Sequence, residues 1–333
     1  MIKHSYELVR STALPLLPGI LISLTIVFAA HYISAQYGSP LILTTVLLGM
    51  AFNNLSRYKE FRPGLEYSTK AILRCGVALL GIRITFEQIS VYGYQPLILV
   101  VICVSSTILF SLLMGKWLGA DRFMTLLAGV ATAICGVSAA MAFLALQSGK
   151  RSTDSQVACT LVAVTCISTL AMILYPALLS HFELSANTAG MFLGTTIHDV
   201  AQAIGAGEML SPEVADATIY TKMLRVSLLV PVLFIISFFY READTRSTPI
   251  THRFPLFLLA FLVILLINNL ISIPTILQTT MSSLSQFCLM MAMAALGVRT
   301  NLMDLFTIEK RPLALVFFNT AFIVLISIVI LSL

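Results

Sequence analysis

The stretch "GTTIHDVAQAIGAG", residues 194–207, decides how this chain is read. It lies in an apolar run, yet it sets His198 beside Asp199 and places Gln202 three residues on. The nearest other ionisable residues are Glu183 and Glu208. At helical spacing His198, Asp199 and Gln202 share one arc of about 100°, so they can face one cavity together. An ionisable group at membrane depth is costly and by default marks a substrate or ion path. The plainer alternative is a pair tied into interhelical hydrogen bonds, or one lying nearer an interface.

The surroundings establish that this is membrane depth. Of 333 residues, 58% are hydrophobic and 11% are charged, and the mean hydropathy is +0.96. A soluble domain carries about 25% charged residues, so this composition cannot cover a soluble surface. Only helices or closed barrels satisfy the backbone in lipid. Barrel strands would alternate in segments of roughly ten residues, whereas the apolar runs here are continuous and about twice that long. The chain therefore reads as an all-α polytopic membrane protein of about nine to eleven transmembrane segments, with the lipid bilayer as its partner. Apolar segments fall near 12–33, 41–55, 69–90, 96–115, 123–146, 157–179, 188–207, 218–240, 254–273, 280–305 and 312–332.

The net charge of +5 contains no basic block and reads as topology, not nucleic-acid binding. Lys3 and Arg10 precede the first apolar run, which lacks a small-residue cleavage site and reads as a retained helix. Arg57, Lys59 and Arg62 crowd one loop, Arg241, Arg246 and Arg253 another, and Lys310 and Arg311 a third. With a cytoplasmic N-terminus, alternation puts these loops inside. One pair resists: if segments five and seven cross fully, Lys150 and Arg151 lie outside. If both segments are broken or re-entrant, entering from opposite sides, the conflict disappears.

Two internal echoes support an inverted design. Residues 78–100 align without gaps on 294–316 with eight of 23 identities, including Gly81, Arg83 and Pro96. In each copy the proline follows the arginine by thirteen residues. Residues 131–140, "ATAICGVSAA", echo 194–203, "GTTIHDVAQA", with four of ten identical. These two echoes divide a single membrane transporter domain, 1–333, into repeat one at about 12–146, a linking helix at about 157–179, and repeat two at about 188–332. Inverted repeats with discontinuous helices are a signature of secondary transporters.

Candidate functional groups follow. Asp199 suits a cation or a proton, and His198 titrates near neutral pH. Gln202 and Thr195 or Thr196 offer neutral hydrogen bonds. A helix broken near Gly136 exposes backbone N–H groups and a positive dipole end, which suits an anion, and Ser138 and Thr132 add hydroxyls. Ordinary small-residue packing is the competing reading there. Lys222 and Arg225, three apart in "YTKMLRVSLLVP", either complement an anionic substrate or snorkel to an interface. Arg83 and Arg299 read as anchors at helix ends, and Asn268 and Asn269 as interhelical glue.

No GxxxxGK[ST] or HExxH occurs, so neither a P-loop nor that zinc motif is expected. The six cysteines form no CxxC and read as buried small residues. No cofactor or metal site is expected beyond a coupling ion, H+ or Na+, and no catalytic residue is assigned.

The motifs "GTTIHDVAQAIGAG", "TAICGVSAAMA", "KMLRV" and "LLGIR" together resemble the YeiH-type family of bacterial inner-membrane proteins labelled sulfate exporters. The resemblance runs over roughly residues 15–330. The family pattern reads about "SVHDVAQVVAAG", of which this chain keeps His198, Asp199, Ala201, Gln202, Ala206 and Gly207. Lys222 and Arg225 match a "KLTRV"-like stretch of the family. The resemblance implies inverted repeats with crossing broken helices, similar to bile-acid and sodium–proton transporters. It implies a secondary transporter, without assigning site residues.

The resulting expectation is a secondary active transporter of a small anionic solute, sulfate-like or a small organic acid, coupled to a proton or sodium gradient. The alternatives are a membrane-embedded enzyme using His198 and Asp199, or a passive anion channel. Solute identity, transport direction and a homo-oligomeric state are left open.

Overall fold

A computed structural model describes residues 14–87, 92–146, 154–239, 256–271, 273–301, 303 and 309–332. Lys150 and Arg151, on which the topological conflict turned, lie outside the described residues. Among the described residues the regular structure is helical throughout, and the protein is an all-α polytopic membrane protein. Within the described residues six helices are long and apolar enough to cross a membrane, and three shorter ones are apolar.

The chain divides into two compact units. One comprises Met1–Thr85 and Leu259–Asn301, the other Phe86–Leu258 and Leu302–Leu333. Each of the two repeats expected from the sequence contributes to both units.

In the first unit, α1 (Leu17–Tyr37) and α2 (Leu41–Ala51) are followed by α3 (Arg62–Tyr67). A single wide turn, Ser68–Ile72, joins α3 to α4 (Leu73–Leu79), which tightens over Leu80–Arg83. The third segment therefore starts several residues before the apolar run begins. Pro63 sits in the first turn of α3, where its missing N–H costs no intrahelical bond. The long helix α14 (Thr275–Arg299) packs against α1, α2 and α4. Ile26, Val27, Leu65, Met291, Ala294 and Val298 form the buried centre. Asn268 and Asn269, on α13 (Leu256–Leu270), donate to the carbonyls of Ile82 and Ile84 where α4 ends. Their role as glue between helices is thereby given its partners.

The second unit holds α5 (Gln95–Trp117), then α6 (Arg122–Ala133) and α7 (Val137–Leu146), then α8 (Asp154–Leu179). After these come α9 (Ala186–Thr196), α10 (Val200–Glu208), α11 (Pro212–Ser227), α12 (Leu229–Phe239) and α15 (Lys310–Leu331). Segments five and seven are each broken in two. At 1.5 Å per residue their halves reach only about 14–18 Å, near half of the ~30 Å hydrocarbon layer. The breaks match residue for residue in the register of the second echo. Ala133 corresponds to Thr196 as the last helical residue, and Val137 to Val200 as the first of the restart.

The other echo also has like local structure. Arg83 and Arg299 each end a helical stretch, and an extended residue, Ile84 or Thr300, follows. A proline-led helix, α5 or α15, begins about a dozen residues later.

Candidate functional site

The site grows from two helix ends that cannot satisfy themselves. The last four carbonyls of any helix lack intrahelical donors. In α6 the chain leaves the helix at Ile134 (φ −115°, ψ −82°) and turns at Gly136, where φ is +66°. Only glycine enters that region without a Cβ penalty. The Gly136 N–H returns to Ala131 O at 2.8 Å, which leaves Thr132 O and Ala133 O without backbone donors. In α9 the helix stops at Thr196 and Ile197 is extended. Gly194 O, Ile197 O and His198 O then need partners of their own.

Those partners come from α11. It lies flush on α9 because Gly194 is a glycine: a Cβ there would meet Thr221 Cβ at 2.8 Å and Thr218 O at 2.9 Å. This approach brings Lys222 and Arg225 into the breaks, and both side chains are wholly buried. Lys222 Nζ donates to Ile197 O at 2.5 Å and to His198 O at 2.6 Å. Arg225 Nε donates to Ala133 O at 2.6 Å, and its Nη2 donates to Thr132 O. Its Nη1 reaches Ile197 O at 2.8 Å and Gly194 O at 3.5 Å. One guanidinium thus ties the C-terminal ends of α6 and α9 together. Each end is the negative pole of a helix dipole, which a cation stabilises. Neither cation snorkels.

The breaks touch. A Cβ on Gly136 would lie 3.7 Å from Asp199 N and 3.8 Å from Asp199 Cα. His198 crosses the same junction. Its Nδ1 is 3.0 Å from Thr132 O, and its Nε2 is 2.8 Å from the Thr320 hydroxyl on α15. A carbonyl only accepts, so Nδ1 carries a proton and Nε2 is the nitrogen free to change state. Thr320 serves both states. Its hydroxyl can donate to Nε2 of the neutral ring. It can also donate to Val316 O, 2.7 Å away, while accepting from Nε2–H of the charged ring.

Asp199 opens α10. Its Oδ1 accepts from Ala201 N at 2.9 Å and Gln202 N at 3.3 Å, so the carboxylate caps the helix it begins. Its own N–H donates to Ser168 Oγ on α8 at 3.1 Å. Gln202 Nε2 donates to Thr169 Oγ1 at 2.8 Å, and that hydroxyl donates onward to Thr165 O. The amide orientation is thereby fixed, and Gln202 Oε1 is left buried without a hydrogen-bond partner among the described residues.

Gly136, His198, Asp199, Lys222 and Arg225 are thus brought into one junction, with Gln202 one turn into α10. Thr195 is buried, and its hydroxyl has no partner among the described residues. Ser138 stands exposed in the first turn of α7, and Asp199 keeps part of its surface open. Sequence reasoning missed Ser168, Thr169 and Thr320, which lie in long apolar helices with many similar hydroxyls. Thr132 enters through its carbonyl, since its hydroxyl is spent on Ala128 O at 2.8 Å.

The family model described as "Conserved hypothetical protein 698" matches residues 18–316. Relatives include the UPF0324 membrane protein CT0845 of Chlorobaculum tepidum, 38% identical over 92% of this chain and 86% of that protein. The UPF0324 membrane protein TauZ of Paracoccus denitrificans is 36% identical over 92% of each chain. No solved structure matches the chain.

Proposed function

We propose, from the premise that the chain belongs to the UPF0324 family of membrane proteins, the sulfate-exporter type resembled by its motifs, that it is a secondary active transporter of a small anionic solute. The observation that carries this reading is the meeting of two interrupted helices, Gly136 against Asp199, inside a bundle of apolar helices. Discontinuous helices whose half-helix ends face one point are how secondary transporters build a substrate site near the bilayer midplane.

The sign of the solute follows from the caps. The matched position that holds Asp199 at the start of α10 is held by Gly136 at the start of α7. Glycine has no side chain to cap the first turn, and only the Cys135 thiol, a weak acceptor, meets an N–H of that turn, at Ala139, so the turn is a seat for an external oxyanion, with Ser138 beside it. The fixed charges agree: Lys222 and Arg225 outnumber Asp199. A sulfate-like ion or a small organic acid has the size and charge for this seat.

In this reading Asp199 is the ion-coupling group, His198 a proton or solute contact, and Gln202 and Thr195 polar ligands. Lys222 and Arg225 hold the positive field. The two echoes are inverted repeats, and rocking of one bundle against another exposes the site to either side in turn. The protein works in the bacterial inner (plasma) membrane with its N-terminus cytoplasmic, driven by an ion gradient.

Flux in proteoliposomes tests the reading. Asp199→Asn keeps the cap, since asparagine caps as well as aspartate, and removes the charge. The variant is expected to fold normally and to lose gradient-driven uptake of the solute. Undiminished gradient-dependent flux in a folded Asp199→Asn protein contradicts the role.

A further inference from the structure

Five backbone carbonyl oxygens converge on two side chains where the helices break. Lys222 holds Ile197 O and His198 O, and Arg225 holds Thr132 O, Ala133 O, Gly194 O and a share of Ile197 O. All belong to the last turn of a half-helix or to unwound residues, so no helical N–H claims them. In transporters with discontinuous helices, such unwound carbonyls and C-terminal ends coordinate the coupling metal cation. In this chain they are already occupied by the protein's own cations.

We infer that Lys222 and Arg225 stand in for a coupling metal cation: they fill the carbonyl cage, and sodium does not bind there. The inference rests on the transporter reading for its meaning and on the cage geometry for its content. The two cations have different parts in it. Arg225 is a planar fork with donors fixed in several directions, and it spans both breaks, which a spherical ion cannot reproduce. Lys222 is a compact point charge on a flexible stem, holding two carbonyls of one break at 2.5 and 2.6 Å. The place of its ammonium is the one a small monovalent cation can take, with the Asp199 carboxylate adjacent in sequence to His198 O.

The titratable groups facing the two cations are His198 and Asp199 at the α9–α10 break, Cys135 at the α6–α7 break and Cys103 on α5. Arg225 stays charged throughout, as a guanidinium does.

The test is sodium-specific stabilisation of the purified full-length protein. Thermal unfolding is followed in sodium chloride and in choline chloride at equal ionic strength, and radioactive sodium binding is measured alongside. The wild type is expected to melt at the same temperature in both salts and to show no saturable sodium binding. Lys222→Ala vacates His198 O and leaves Ile197 O to Arg225 alone, so it is expected to melt lower in choline and to recover by a few degrees, saturably, in sodium. Lys222→Gln replaces it in the same comparison if the alanine variant does not fold in either salt. Saturable sodium binding by the wild type overturns the inference. So does a folded Lys222 variant that sodium stabilises no more than choline does. Failure of the transporter reading is separate: it is absence of solute flux under any gradient, while the sodium measurements still report on the cage.

Discussion

The two interrupted helices of the second unit are built alike and finished differently. Both stop at matching residues, run unwound for three, and restart at matching valines. Both deliver orphaned carbonyls to cations from α11. They part at the residue that begins the second half. Asp199 caps α10 with its own carboxylate, whereas Gly136 brings no side chain to α7. One half of the junction is therefore closed by a carboxylate and the other is open, with the Cys135 thiol at the Ala139 N–H in place of a carboxylate. Two like breaks are made unlike by one exchange, aspartate for glycine.

The largest expected effect comes from removing what the two breaks share. Arg225→Met strips donors from the last turns of both α6 and α9 and should cost on the order of 3 kcal/mol or more, because buried carbonyls lose charge-assisted partners. Thermal unfolding in detergent measures it. Arg225→Lys should recover only part, since one ammonium cannot span both helix ends. Equal stability of wild type and Arg225→Met would mean that the ends are satisfied in some other way.

Gly136→Ala breaks the open half. The space around its Cβ is ordinary, with Val164 Cγ1 at 3.5 Å. The cost is therefore that of forcing a left-handed residue, about 1–2 kcal/mol. Gly136→Asn should cost less, since asparagine tolerates this conformation. A common loss for both variants points to crowding instead.

The closed half answers to its cap. Asp199→Ala should lose about 1 kcal/mol through the uncapped turn, and Asp199→Asn nearly nothing. The difference between the two melting curves isolates the cap from the charge. Thr320→Val leaves the buried Nε2 of His198 without its partner and should cost about 1–3 kcal/mol, and the smallest effect is that of Thr320→Ser, close to wild type.

Much of this junction was legible in the sequence. The arrangement of loop arginines and lysines marked segments five and seven as irregular. The weak echo of "ATAICGVSAA" with "GTTIHDVAQA" gave the register in which their breaks coincide. His198 and Asp199 stood out because their neighbours for many residues were uncharged. Arg225 and Lys222 were visible as misplaced cations, but not the carbonyls they hold. Which carbonyls come free depends on where two other helices stop and on how closely α11 approaches α9. That approach is set by Gly194 against Thr221, a contact 27 residues apart in sequence. Thr320 was illegible for a related reason: its bond to His198 spans 122 residues, and α15 carries no charge near it to mark the spot. Nor did the chain's order suggest that its two compact units would interleave as they do.

The anion seat proposed above is the turn at Gly136, which no carboxylate caps. The deciding measurement is a thermal-shift titration of the purified protein with sulfate, sulfite and small carboxylates, run on wild type and on Gly136→Asp with Gly136→Asn as the folding control. At least one of these anions is expected to stabilise wild type saturably. The aspartate, by making the two breaks alike, is expected to weaken that anion roughly tenfold or more, about 1.4 kcal/mol, while asparagine does so far less. Equal stabilisation of wild type and a folded Gly136→Asp protein would contradict the proposed seat.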